Sequence, residues 1–156
     1  MAKLPAVKPD LIFVDTNVLL YAVDDREPGK RDRARQWLAA CWRRRCGRLS
    51  TQVLNEFYWN ASRKFSSMVS RGDARAEVRR YQQWLPWQLD HATVETAWAA
   101  EARYGLAYWD ALLVAAAKHQ GCDCLLSENL KHEQSLDGIL VLNPFLADPD
   151  LLDKPA

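Results

Sequence analysis

Leu11 to Val14 is an unbroken apolar run of strand length, and it stops at Asp15-Thr16-Asn17, residue types that favour turns and helix N-caps. A short helix over Val18 to Val23 is predicted to follow. After a polar loop, Lys30 to Arg45 places Ala34, Trp37, Leu38, Cys41 and Trp42 at helical spacing with arginines opposite, and Gly47 is expected to end that helix. Arg48 to Ser50 is a brief strand candidate. Ser50 or Thr51 then caps a helix whose apolar stripe is Val53, Leu54, Phe57, Tyr58 and Ala61. Another helix begins at Gly72-Asp73 and runs until Pro86, and Trp87 to Leu89 reads as a strand. Asp90 to Tyr104 is a helix closed by Gly105, and Trp109 to His119 is a nearly all-apolar helix closed by Gly121. Strands over Cys122 to Leu126 and Ile139 to Leu142 complete the chain. Short apolar strands alternating with helices predict an α/β fold with a mainly parallel central sheet.

Composition narrows the class. The chain has 156 residues, 49% apolar and 26% charged, which suits one soluble domain and excludes a largely disordered chain. The core is placed at about residues 10–146, with tails at 1–9 and 147–156. No signal-peptide pattern and no long apolar run occurs, so a cytoplasmic location is expected, with no membrane span. Cys41, Cys46, Cys122 and Cys124 lack the paired spacing of a structural zinc site and read as reduced thiols. His91, His119 and His132 show no ligand spacing. Of the seven tryptophans, Trp37, Trp42, Trp98 and Trp109 sit at core spacings; Trp59, Trp84 and Trp87 could instead serve a partner or dimer surface, with core the favoured reading.

The net charge of +1 conceals a pattern. Arg26 to Arg48 holds nine basic and two acidic residues, while Glu133 to the end holds five acidic and one basic. Lys30 to Arg48, with Arg63, Lys64, Arg71, Arg75, Arg79 and Arg80, is a candidate track for a polyanion backbone; the bland reading is a solvated helix face.

Certain carboxylates stand out by position. In a parallel sheet the functional crevice lies beyond the carboxyl ends of the strands, where Asp15 and Ser127-Glu128-Asn129 fall. Asp110 opens an apolar helix, and Glu56 lies inside another. Singly, Asp15 is equally an N-cap, Asp110 a helix-start acid and Glu56 a solvated residue. Together, three acids that one sheet edge can gather require compensation, and an all-oxygen set suits Mg²⁺ or Mn²⁺.

At this point the chain resembles the PIN-domain nucleases, and in particular the VapC-type toxin ribonucleases of bacterial VapBC toxin–antitoxin pairs. The matching pieces are FVDTNVLLYAVD from Phe13, STQVLNEFYW from Ser50, YWDALLVAAAK from Tyr108, and LLSENLKH with ILVLNPF near the end, in family order over almost the whole chain. The resemblance implies a three-layer α/β/α sandwich and a Mg²⁺- or Mn²⁺-dependent endoribonuclease site. It assigns the metal-holding acids to Asp15, Glu56 and Asp110, and a further catalytic position to Asn129, where the family usually has Asp. Thr16, Asn17, Ser127 and Glu128 are supporting candidates that position water or carboxylates; for Thr16, Asn17 and Ser127 plain capping is an equal alternative. The implied partners are an RNA substrate, a cognate antitoxin and a second copy in a homodimer. Asn129 removes one negative charge and motivates an alternative, a PIN domain impaired in catalysis that binds RNA or a protein. A phosphatase using Asp15 as nucleophile is set aside, because that chemistry needs an Asp where Asn17 stands.

Overall fold

The computed structural model describes residues 8–154. Its elements are β1 (Ile12–Val14), α1 (Thr16–Tyr21), α2 (Pro28–Arg44), β2 (Gly47–Arg48), α3 (Thr51–Lys64), α4 (Arg71–Arg80), α5 (His91–Tyr104), α6 (Tyr108–His119), β3 (Cys124–Leu126), β4 (Ser135–Leu136) and β5 (Ile139–Leu142). Short 3₁₀ turns cover Tyr81–Trp84 and Pro149–Asp153. The strands form one five-stranded sheet in the order β2-β1-β3-β5-β4, parallel except for the β4–β5 pair. With helices over the sheet this is the expected three-layer α/β/α architecture.

The sheet core consists of strand residues buried on both faces, among them Ile12, Phe13, Val14, Leu125, Leu126 and Val141. Continuous apolar runs are what a covered parallel sheet requires. From β1 the chain moves outward to β2, then returns through α3 to α6 to pair β3 on the other side of β1. The reversal opens a crevice at the carboxyl ends of β1 and β3. Asp15 and Ser127 are the residues that follow those two strands.

Several boundaries depart from the pattern. Arg45, not Gly47, ends α2, in the left-handed region at φ 53°. Gly47 lies in β2, where a Cβ would stand 2.5 Å from the Trp84 ring. Trp84 is therefore core, packed against Trp42 and Tyr81. Trp98 and Trp109, expected inside, are 48% and 64% exposed. The helix expected to run to Pro86 gives way to a 3₁₀ turn at Tyr81, and Trp87 contributes only an isolated bridge to Ser50. The hairpin strand β4 was not anticipated; Asp137 and Gly138, both at positive φ, form the two-residue turn that reverses the chain into β5.

The segment read as a C-terminal tail packs instead. Ala147, Leu151 and Leu152 belong to the main core, and the Trp37 indole N–H donates to the carbonyls of Pro144 and Ala147. Its acids meet the basic helix: Asp148 pairs with Arg33, and Asp153 with Arg43 and Arg44. Arg26 is held by Asp24, Arg31 by Asp25 and Asp32, and Lys30 by Glu128. Much of the basic segment is thus neutralised within the fold, which weakens its reading as an open polyanion track. Among the described residues no helix is long and apolar enough to cross a membrane.

Candidate active site

Asp15 leaves β1 in extended conformation and caps α1. Its carboxylate is nearly enclosed. Oδ1 accepts from the backbone N–H of Thr16 at 2.7 Å, and Oδ2 accepts from the Ser127 hydroxyl at 2.7 Å and the Asn17 amide at 3.1 Å. The carboxylate that caps α1 is therefore the same one that Ser127 and Asn17 hold. Ser127 is fully buried, fixed by its own N–H to Leu142 O, and its Oγ also accepts the N–H of Asn129 at 3.1 Å.

Glu56 arrives from α3. Thr16 Oγ1 donates to its Oε2 at 2.8 Å, and Gln52 Nε2 donates to its Oε1 at 3.0 Å. Gln52 Nε2 also reaches the carbonyl of Trp109 at 3.3 Å, tying α3 to the first turn of α6, which carries Asp110. Gln52 was not singled out in the sequence. The available signal was its position four residues before Glu56, which places both on one helix face. Its Oε1 is buried without a donor among the described residues.

The electrostatics follow from this packing. Burial pushes the Asp15 carboxyl up from 3.8 to about 6 against the lowering hydrogen bonds from Ser127 and Thr16, and the charges of Glu56 and Asp110 add to the rise. Burial also raises Asp110, with Glu56 adding to it. Asp15 thus senses Glu56 and Asp110, and Asp110 senses Glu56, yet among the described residues no three His, Cys, Asp or Glu side chains close into a finished metal cage. An uncompensated negative cluster lined by oxygen donors, with a further orphaned carbonyl oxygen at Gln52, fits a hard divalent cation in charge and donor type.

Glu128 faces the other way. Burial pushes it up, but Lys30 and the Tyr21 hydroxyl outweigh that and hold it below its ordinary value. Lys30 is itself seated over the Tyr21 and Phe145 rings. Engaged in this way, Glu128 does not replace the charge missing at Asn129. Asn129 is exposed and borders a cavity of about 240 Å³ with Asn17, Tyr21, Asp24, Phe65 and Glu128.

Comparison with known proteins adds the decisive observation: the PIN domain family model matches residues 12–134. The chain belongs to the PIN domain family. The matched span contains Asp15, Glu56, Asp110, Ser127 and Asn129. Among solved structures, this PIN domain is similar to a chain from a toxin–antitoxin complex of Klebsiella pneumoniae, at 21% identity and a TM-score of 0.62, over 85% of this chain and 97% of that one. At that identity the likeness is one of fold. No curated protein matches the chain. Nuclease chemistry is the family's general activity, and the crevice of this PIN domain is where such chemistry would be housed.

Proposed function

We propose that this PIN domain is a metal-dependent endoribonuclease of the VapC toxin type, restrained by a cognate antitoxin and working in the cytoplasm as a homodimer. The observation that carries the reading is Asp15, buried at a strand end with its pKa raised and with Glu56 and Asp110 adding to that rise. Asp15, Glu56 and Asp110 are the residues that would hold Mg²⁺ or Mn²⁺, which when bound supplies neutralising charge at a phosphodiester and acidifies a water.

The chain's own groups do the positioning. Asn17 and Ser127 hold Asp15 from one side while Thr16 and Gln52 hold Glu56 from the other, so neither carboxylate is free to rotate away. Both nearby hydroxyls, Thr16 and Ser127, already donate to carboxylates. Attack on phosphorus therefore falls to water rather than to a side-chain nucleophile. The toxin–antitoxin origin of the similar fold supports an antitoxin partner.

Cleavage of RNA with Mg²⁺ or Mn²⁺ tests the proposal. Wild type is expected to cut and Asp15→Asn to lose at least a hundredfold in rate, on the order seen when a preorganised charge is removed from a catalytic site. Undiminished cutting by Asp15→Asn would falsify it. The exposed, neutral Asn129, uncompensated by Glu128, favours one second reading: a PIN domain that binds RNA or a protein partner without cutting. Wild type that binds RNA but never cuts it, with cutting restored by Asn129→Asp, would establish that reading.

A further inference from the structure

We infer that Cys41 and Cys46 are a thiol pair oxidised by hydroperoxides, in which Cys46 reacts first and Cys41 then closes a disulfide across the end of α2. The pair lies apart from the carboxylate crevice. The Cys46 carbonyl accepts the N–H of Ile12, the first residue of β1, whereas Asp15 follows the last. The inference is therefore independent of the ribonuclease reading.

The way α2 ends is what brings the two thiols together. Arg45 takes the left-handed conformation, its N–H donates to the Trp42 carbonyl at 3.2 Å, and the N–H of Cys46 donates to the Cys41 carbonyl at 3.1 Å. This double closure turns the residue after the left-handed one back over the last helical turn, where its side chain makes an apolar contact. Here both partners in that contact are cysteines. Both are buried and reduced, and they are hydrogen-bonded through their side chains, with Cys41 donating and Cys46 accepting. No segment of chain has to travel before the sulfurs can join.

The four buried thiols are not equivalent. Burial pushes Cys122 up to about 12 and holds Cys124 well above its ordinary value, while donation to Cys46, followed by burial, raises Cys41. Cys46 is lowered by the Cys41 hydrogen bond, with its own backbone N–H and the charges of Arg44 and Arg48 helping against burial. The thiolate is the nucleophilic form of cysteine. Among the described residues, Cys46 also borders a cavity of about 180 Å³ whose lining includes the exposed Asp10 and Arg44, so a small oxidant has a route to its sulfur. Cys41 is wholly buried and suits the second step.

Hydrogen peroxide as co-reactant balances the chemistry. The Cys46 thiolate attacks one peroxide oxygen, the O–O bond breaks, and the departing hydroxide takes up the proton that Cys46 had released, leaving a sulfenic acid. The Cys41 sulfur then attacks the Cys46 sulfur, the S–O bond breaks, and hydroxide leaves with the Cys41 proton as water. Both thiols are oxidised, and the peroxide is reduced to water.

The test treats the folded full chain with hydrogen peroxide, blocks the remaining thiols and digests with trypsin without reductant. Arginines separate the two cysteines, so the tripeptide Cys46-Gly47-Arg48 is expected to stay bound to the peptide from Gln36 to Arg43, with Cys122 and Cys124 still reactive after unfolding. Survival of all four thiols, or a disulfide joining Cys46 to any other partner, overturns the inference. In Cys41→Ala, dimedone should trap a sulfenic acid on Cys46, and its capture on Cys122 or Cys124 instead counts against the assignment. Timed alkylation of untreated wild type by iodoacetamide needs no variant: Cys46 is expected to react at least about tenfold faster than Cys122 or Cys124, and equal rates overturn its role as the first thiol to react.

Discussion

Two sets of carboxylates in this molecule are treated in opposite ways. At the sheet edge, Asp15 and Asp110 are raised by burial, with Glu56 adding to both, and no cationic side chain accompanies them as a cause. In the C-terminal segment, Asp148 and Asp153 are held below their ordinary values, Asp148 by the Asp150 N–H and Arg33, and Asp153 by Arg44 and Arg43. Asp137 is lowered in the same way by the Tyr104 hydroxyl, with Lys118 and Arg103 adding to it. A fold that can bring arginines from α2 to its C-terminal acids leaves its most buried carboxylate without one. In the proposed function, the positive charge that would balance this cluster is that of a divalent cation.

The largest expected break in this comparison is in the pH dependence of the metal-free protein. Burial raises the folded-state pKa of Asp15 from 3.8 to about 6, so between those values the folded chain binds more protons than the unfolded chain. Stability is expected to fall as pH rises through that window, by up to about 3 kcal/mol for a shift of this size. Urea unfolding with a chelator at pH 5 and pH 7.5 measures it, and Asp15→Asn should lack that component. A middle effect comes from Asp137, whose lowered value has the opposite sign: its contribution is present above 3.8 and is lost as pH falls through the folded value. Asp137→Asn keeps a residue tolerant of positive φ and should cost about 1 kcal/mol at neutral pH, read from the same unfolding curves. The smallest concerns Asp153, which is solvent-exposed and bonded only to surface arginines; Asp153→Ala should leave the melting midpoint unchanged, with or without added salt.

What the sequence disclosed about this site was positional. Asp15 and Ser127 stand directly after apolar strand runs, and that placement alone led to the crevice. Gln52 was hidden because its value lies in reaching α6, a contact between segments far apart in the chain. Trp109 could not be phased, since α6 is apolar on nearly every face and its period specifies no exposed side. Trp98 follows the buried Ala97, and one residue of helix rotation, about 100°, separates inside from outside. Trp84 became core through the absent side chain of Gly47, a fit that only the packed structure displays. The charge blocks were visible as counts, but their mutual neutralisation depends on Arg33, Arg43 and Arg44 meeting Asp148 and Asp153 across the fold. The strand β4, two residues with an exposed serine, is below the length at which alternation carries a signal.

Whether Asp15, Glu56 and Asp110 together bind a divalent cation is read from the melting midpoint at pH 7.5 with chelator and with Mn²⁺, for wild type and Asp15→Asn. Asp15→Asn is expected to melt higher than wild type in chelator, by the equivalent of about 1–2 kcal/mol once its rearranged hydrogen bonds are allowed for. Mn²⁺ is expected to raise the wild-type midpoint and to leave the variant where it was. A wild type indifferent to Mn²⁺, or a variant that melts lower than wild type in chelator, would contradict a cation-binding cluster.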